Sequence, residues 1–574
     1  MIIIPQLKLY GTITCVCLLF ITFVYSYETV EDYILKNHSF QEESSADKMN
    51  DSLSSLSYHY LWKIMGYLVG FWFLIVEVGF YIYYKIELSR LQHFKKAIKP
   101  LDFDQRTKLY WECVNTVTDA RHWTVGWFYY SDTMSHPRFS EIYRDNMAQW
   151  FSWAFWDDDI STVRKDPKKA NEIDWMINTY ETTFDLKLKE GYNDKVQCVR
   201  LTLDPVQAFH RPLFIYLSIY LCNMVFNNIC LKWLWKFNCY ESDTTQLIWG
   251  GLLHLIHHSM LWLIDQYQQF QGKGRHGMIK KQKQSTYTVP DQKIVYWYRD
   301  PLAIQKQQAA SSYNNNNKKT TSTIKDINNN NMVDNKTPIV FIHGIGAGLI
   351  CYIQFIYHLV KFDRPMFCVE LPFVAMRMVD QVPLTEDIVK DIEQMLHRHG
   401  YKHAVFVSHS LGTAVTSWLM KYTPSIVAGS VFIDPICFLL HYPTLCFNFI
   451  HRIPTQISEY FTKFVASREL YISHYISRHF RWYEIIYFPD LINKNGTLNP
   501  TSPIRNSTVF LSEKDGIVAS PTIANHLVES GVDCRVMPKL EHAGFLIDWS
   551  WQSRILEQVD WIARNVDDEC LVLS

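Results

Sequence analysis

The sequence predicts an α/β protein that is preceded by membrane-spanning helices and by a helical region. Two apolar runs near the N-terminus, at residues 9–25 and 64–84, approach the length of a membrane span. From about residue 291, short strand-like apolar runs are followed by turns and by helix-compatible segments. These observations divide the chain into a membrane-anchoring region over 1–100, a helical region over 101–290 and an α/β domain over 291–574.

The composition limits the partners and the compartment. The 574 residues suffice for several folded units, and 56 basic against 57 acidic residues leave a net charge of -1. Such a balance creates no field for nucleic acid, so no nucleic-acid partner is expected and membrane attachment must come from apolar segments. The 13 cysteines are scattered. They indicate neither a disulfide framework nor a zinc site, and they favour a reducing compartment.

The run 64–84 is the stronger candidate span. It is bounded by Lys63 and Lys85, is interrupted only by Glu77, and has aromatic residues near both ends, as in interfacial belts. The run 9–25 fits either a membrane anchor or the apolar core of a signal peptide. A protein with such segments is expected to be an integral membrane protein, and we assign it to the endomembrane system.

The charges around the span 64–84 predict its orientation. The preceding loop is acidic and carries glycosylation sequons at Asn37 and Asn50. Basic residues mark the cytoplasmic side of a span. The basic residues that follow this span are Lys85, Arg90, Lys95, Lys96 and Lys99. The rest of the chain is therefore expected to begin in the cytosol, whether the run 9–25 spans or is removed.

Two further apolar segments, 213–235 and 247–264, contain polar residues that are costly in lipid. Each fits either an interfacial or re-entrant hairpin or a buried cap of the α/β domain. An odd number of additional spans here would move that domain to the lumen. The second segment contains His254, His257 and His258, but a single H-x-x-H-H cluster is insufficient for a di-metal site, so we predict no metal and no cofactor.

The remaining parts of the central region carry no chemical motif. The rest of 101–290 contains helix-like stretches rich in tryptophan and acidic residues, and its role stays open. The segment 304–332 is rich in Asn, Gln, Ser and Lys and cannot supply a packed core. It lies between two predicted strands, 293–299 and 338–343, so we expect a disordered surface insertion within the α/β domain.

The strongest motif surrounds Ser410. A strand-like run at 404–408 leads into the sequence S-H-S-L-G-T, and a helix-compatible segment follows at 413–422. Small residues at Ser408 and Gly412 suit a sharp backbone turn between a strand and a helix. In such a turn the neighbours of the central serine must approach the strand and the helix closely.

Three other segments place polar groups after predicted strands. The strand 337–343 runs into the glycine-rich turn 344–348, and the strand 507–511 runs into a turn that contains Asp515. His542 follows the last predicted strand, 532–540. Asp434, after another strand-like run, is an alternative acid. The order serine, aspartate, histidine is therefore found at the ends of successive strands.

This pattern resembles the α/β-hydrolase superfamily of lipase-like and esterase-like serine hydrolases, whose G-x-S-x-G elbow is met here with Ser408 in place of the first glycine. The resemblance covers residues 293–574 and implies a mostly parallel sheet with a helical cap. It also implies that Ser410 is the nucleophile, His542 the base and Asp515 the acid. The oxyanion donors implied are the N–H groups of Leu411 and of Ile345 or Gly346.

The region 437–500 interrupts the strand pattern with apolar and aromatic residues, as expected of a lid. With an apolar lid and a membrane anchor, the resemblance implies a membrane-bound hydrolase of carboxylic esters whose substrate is a lipid or another hydrophobic ester. An acyltransferase or a thioesterase would use the same triad. A non-catalytic membrane scaffold with this fold is a further alternative, which the intact triad disfavours. Protein partners are not indicated.

Overall fold

The computed structural model describes residues 62–93, 100–241, 294–305, 336–492 and 495–573. It divides into two compact units, Met1–Ile82 and Tyr83–Ser574. Several predicted features lie outside the described residues, namely the run 9–25, the apolar segment 247–264 with its histidine cluster, and residues 306–332 of the Asn-rich insertion.

Ten strands are described, and eight of them form a single mixed sheet. In chain order they are β1 (Phe128–Tyr130), β2 (Val196–Cys198), β3 (Asn238–Tyr240), β4 (Val295–Arg299), β5 (Ile339–Ile342), β6 (Met366–Glu370), β7 (Ala404–His409), β8 (Val427–Ile433), β9 (Ser507–Ser512) and β10 (Asp533–Met537). The strand order across the sheet is β10-β9-β8-β7-β5-β6-β4-β3. The strands from β10 to β6 are parallel to their neighbours, and β4 is antiparallel to both β6 and β3. The predicted mostly parallel sheet is confirmed.

The central strands are buried because helices cover both faces. Every residue of β5, β6, β7 and β9 is buried, which explains why these strands read as continuous apolar runs and not as alternating patterns. The helices that follow β5, β6, β7, β9 and β10 are, in that order, Ile353–Val360, Thr385–Arg398, Gly412–Tyr422, Ser520–Glu529 and Trp549–Leu573. In Thr385–Arg398 the buried residues recur every three or four positions, as expected for a helix packed on a sheet.

The described part of the region 101–290 packs against the predicted α/β domain. Its helices are Phe103–Val114, Ala120–Gly126, Arg144–Trp156, Ile160–Val163, Pro167–Thr183 and Leu213–Val225. Trp123 Nε1 donates a hydrogen bond to His441 O at 2.9 Å, and Trp482 Nε1 donates one to Ala154 O at 3.0 Å. One hydrophobic core contains residues from both regions. The boundary at 290/291 therefore does not separate two domains, and β3 extends the sheet ahead of it.

The connection between β8 and β9 is a helical insertion that contains the expected lid segment 437–500. Its elements are Pro443–Cys446, Phe447–His451, Ile457–Thr462, Lys463–Ser467, Leu470–Arg478 and Trp482–Ile485. Ser417 Oγ, on the helix after β7, donates a hydrogen bond to Ile485 O at 2.7 Å. The far end of the insertion is thus attached directly to the sheet domain.

Two described helices have the length and apolar composition needed to cross a membrane, Trp62–Gln92 and Leu213–Leu234. We call them the N-terminal helix and the apolar surface helix. The first contains the predicted span 64–84. The second is α-helical over Leu213–Val225 and continues as a wider π-helical segment over Phe226–Leu234.

Candidate active site

Ser410 occupies a strained turn between a strand and a helix. The strand β7 ends at His409, and the helix Gly412–Tyr422 begins two residues after the serine. The φ angle of Ser410 is 50°, in the left-handed region that residues with a side chain rarely adopt. A Cβ atom at Gly412 would lie 2.4 Å from Ile342 O, which explains why glycine is needed there. The turn has the geometry that the sequence motif predicts.

The structure brings Ser410, His542 and Asp515 into one hydrogen-bonded array. His542 Nε2 lies 2.9 Å from Ser410 Oγ, and His542 Nδ1 lies 2.7 Å from Asp515 Oδ2. With Nδ1 protonated, the ring donates to the carboxylate and accepts from the serine hydroxyl. Asp515 Oδ1 accepts the N–H groups of Ile517 and Val518 at 2.8 and 2.9 Å, so the loop after β9 fixes the carboxylate. This arrangement can remove a proton from the serine hydroxyl.

Asp434 lies beside this array but binds backbone and a serine. Its fully buried carboxylate accepts the N–H of Ser512 at 2.7 Å, the hydroxyl of Ser512 at 3.1 Å and the N–H of Ala543 at 2.9 Å. These bonds join the end of β9 to the residue after His542. Burial raises the pKa of Asp434 to about 6, although the positive charge of His542 acts in the opposite direction and lowers it. The geometry favours Asp515 as the partner of the histidine and gives Asp434 a supporting position.

Opposing effects set the pKa of His542. Burial alone lowers it, because the imidazolium loses its hydration. The charge of Asp515, its hydrogen bond to the ring and the charge of Asp434 outweigh burial and raise the pKa to about 9. The nearby ring of His409, whose pKa burial holds well below its usual value, stays neutral.

The raised pKa predicts that activity increases with pH well above neutrality. Only the neutral imidazole can accept the proton of Ser410, so kcat/KM should rise about tenfold per pH unit and level off near pH 9. The measurement is kcat/KM for a short soluble ester, with the full chain in detergent micelles. A midpoint at the ordinary histidine value of about 6.5 would contradict the raised pKa.

The glycine loop after β5 faces the elbow. A Cβ atom at Gly344 would lie 2.8 Å from the Cβ of Ser410, so this glycine permits the close approach of the loop. The N–H of Gly346 donates to Val374 O at 3.1 Å and is therefore already engaged. Within the described residues, the N–H groups of Ile345 and Leu411 have no such backbone acceptor. The geometry therefore favours the N–H groups of Ile345 and Leu411, and not that of Gly346, as the donors to an oxyanion.

Two residues that sequence reasoning missed connect the loop to the elbow. Tyr352 OH accepts the N–H of Gly344 at 2.9 Å and forms a hydrogen bond with His409 Nδ1 at 2.7 Å. His409 Nε2 then points toward Asp434, at 3.9 Å. Tyr352 is fully enclosed by helix and sheet. No local pattern distinguishes this tyrosine, because its role depends on a contact 57 residues away.

The same polar atoms form a cluster that resembles a metal site. Ligand atoms of Asp434, Asp515 and His542 lie within 4.8 Å of one another. Each of these atoms has a hydrogen-bond partner in the protein, as described above. The donor set therefore fits a proton-transfer array better than a cation site.

No protein-family model and no curated protein matches the chain. Among solved structures, a carboxylesterase of the thaumarchaeon Nitrososphaera gargenis shares 13% identity with a TM-score of 0.28, over 40% of this chain and 92% of its own. A thermophilic esterase of Thermogutta terrifontis shares 13% with a TM-score of 0.28, over 40% and 90%. A bacterial membrane phospholipase A shares 10% with a TM-score of 0.30, over 47% and 83%.

The chain has an α/β-hydrolase fold. Its sheet order, with one antiparallel strand near the edge, and its strand–elbow–helix turn at Ser410 define that fold. The chain order of serine, aspartate and histidine is also that of the superfamily.

Proposed function

We propose that this protein is a membrane-bound serine hydrolase that cleaves carboxylic esters, and that its substrates are lipid acyl esters. The observation that carries the proposal is the array in which His542 joins Ser410 at 2.9 Å and Asp515 at 2.7 Å, at a strained elbow. A strained serine in this array is hard to explain as a purely structural feature, because strain of this kind is costly.

The chemistry follows from the array. His542 Nε2 takes the proton from Ser410 Oγ as that oxygen attacks the ester carbonyl carbon. The N–H groups of Leu411 and Ile345 stabilise the negative oxygen of the tetrahedral intermediate. Collapse of the intermediate breaks the ester bond, and His542 returns the proton to the leaving alcohol. Water, activated by the same histidine, then hydrolyses the acyl-enzyme.

The proposed location in the membrane rests on the N-terminal helix and on the packing of the second unit. Residues that precede and residues that follow the apolar surface helix in the sequence share a single core. The strand β3, which comes before residues 242–293, pairs with β4, which comes after them. These parts of the chain must therefore lie on one side of any membrane. Together with the basic residues after the span 64–84, this arrangement supports a cytosolic active site.

The test of the function is labelling of the full chain, in its native membranes, with a fluorophosphonate probe that reacts only with activated serines. We expect labelling at the peptide that contains Ser410, and hydrolysis of long-chain glycerol esters or phospholipids presented in liposomes. A folded chain that neither labels nor hydrolyses such esters would instead support the non-catalytic scaffold. Labelling with cleavage of soluble esters alone would remove the lipid substrate from the proposal.

A further inference from the structure

Among the residues that the structure describes, the apolar surface helix is buried along one narrow stripe. The residues buried in that stripe are Tyr216, Asn223, Phe226 and Leu231. Most of the remaining large apolar side chains face outward, and they are Phe214, Leu217, Tyr220, Leu221, Met224, Val225, Ile229, Trp233 and Leu234. Only 17% of its most apolar 18-residue stretch is buried. The exposed charge of Lys232 interrupts this surface near the end of the helix. An apolar surface of this length nevertheless indicates a contact with another apolar phase or molecule.

The helix lies along the protein and does not cross a membrane. At its start, Tyr216 OH donates to Glu469 Oε1 at 2.7 Å. In its middle, Asn223 Nδ2 donates to Ala347 O at 3.0 Å. At its end the chain enters the sheet, where β3 pairs with β4. Because start, middle and end all touch the same folded unit, an apolar phase can contact this helix only from the side.

The N-terminal helix indicates which phase this is. Its apolar run 64–84 ends at Tyr84 and is followed by Lys85, so Tyr84 marks the level at which a spanning helix leaves the bilayer. Tyr84 OH donates to Ala208 O at 2.8 Å, and its ring packs edge-on against His210 at 5.2 Å. The apolar surface helix begins only three residues after His210. It therefore starts at the bilayer surface.

Two further details suit a lipid environment. The exposed polar side chains of Ser218 and Asn228 donate to carbonyl groups of their own helix, Phe214 O and Met224 O, at 2.8 Å each, which reduces the cost of removing them from water. The lid segment also has exposed apolar residues, which include Ile453, Ile457, Tyr460 and Phe461. Phe464 of this segment lies under the guanidinium of Arg211, 4.7 Å away, next to the start of the helix.

We propose that the apolar surface helix, Leu213–Leu234, lies in the plane of the bilayer surface with its outward face in the lipid. The inference rests on the membrane anchoring in the proposed function and adds a second, lateral contact with the bilayer. It places Asn223, and through Ala347 the glycine loop beside Ser410, directly behind the lipid-facing surface.

The test uses spin labels on the full chain in phosphatidylcholine liposomes, in a background whose accessible native cysteines are replaced by serine. Leu221→Cys reports the outward face, and Leu217→Cys reports it one turn earlier if the first variant fails to fold. Val528→Cys is the matched control, because Val528 is 62% exposed and Leu221 is 53% exposed. Val528 lies just before β10, at the edge of the sheet opposite to β3, which follows the apolar surface helix. Collisions with oxygen and with a water-soluble nickel complex are measured at each site.

We expect the labels at Leu217 and Leu221 to collide readily with oxygen, because oxygen partitions into lipid. Their collision rate with the nickel complex should be at least about tenfold lower than that of the control label, because polar complexes do not enter lipid. High nickel accessibility at both sites would overturn the proposal by placing the face in water. Low accessibility to both reagents would also overturn it, since a protein or a second copy would then cover the helix.

Labelling of Ser410 by the fluorophosphonate probe in the same liposomes separates the two proposals. If Ser410 is labelled and the helix is accessible to nickel, the hydrolase proposal stands and the in-plane helix is wrong. If Ser410 is not labelled and the helix lies in lipid, only the hydrolase proposal is wrong.

Discussion

Replacing Ser410 by alanine is expected to reduce ester hydrolysis by about 10⁶-fold, to the rate that binding and the oxyanion donors alone support. The reason is that no alkoxide can form, while the donors at Leu411 and Ile345 and the bond between His542 and Asp515 remain. The substitution removes one oxygen atom whose partner in the structure is His542 Nε2. The measurement is kcat for a short soluble ester, with fluorophosphonate labelling of the same preparation.

Ser408→Ala is the matched control. Ser408 is equally part of the elbow and is fully buried, and its hydroxyl has no hydrogen-bond partner among the described residues. We expect this variant to keep kcat within about threefold of the original chain and to keep its unfolding temperature. Hydrolysis that survived in the folded Ser410 variant would point to another nucleophile.

Local patterns predicted most of the site. Continuous apolar runs identified β5, β7 and β9, because parallel strands buried on both faces lack alternation. The turn residues after them identified the glycine loop, the elbow and the loop of Asp515. These features depend on residues that are close in sequence, and the backbone turn at Ser410 imposes its own requirement for small neighbours.

Features that depend on distant contacts were not predictable in the same way. The packing of the region 101–203 against the lid depends on bonds such as that between Trp123 and His441, 318 residues apart. The attachment of the apolar surface helix depends on Asn223 and Ala347, 124 residues apart. Tryptophans and an asparagine in apolar segments carry no local sign of these partners. The sequence therefore suggested a separate region where the structure has a shared core.

The choice between two acids also needed the structure. Asp434 and Asp515 both follow strands of the sheet, so spacing alone leaves both open. The geometry favours Asp515, whose carboxylate lies 2.7 Å from His542 Nδ1, whereas the carboxylate of Asp434 accepts the N–H groups of Ser512 and Ala543. This difference leads to a prediction for each residue.

Asp515→Asn is expected to reduce kcat by about 10⁴-fold. The asparagine carbonyl would keep the bonds from Ile517 and Val518, which turns the amide NH₂ toward His542 Nδ1. The imidazole must then carry its proton on Nε2, where it cannot accept the proton of Ser410. The new side chain has the same size and the same buried position, and the fold is retained. The unfolding temperature is therefore expected to change little.

Asp434→Asn is expected to reduce kcat by less than about 10²-fold, the scale on which supporting groups usually act. Its carbonyl can still accept the N–H of Ser512, but the amide NH₂ then faces the N–H of Ala543 and cannot accept it. That bond is lost, so the loop of His542 is less firmly held. Loss of the charge also moves the pH midpoint of kcat/KM downward, because Asp434 helps to raise the pKa of His542. The reverse order, with the larger loss at Asp434, would assign the acid to Asp434 and make Asp515 the supporting carboxylate.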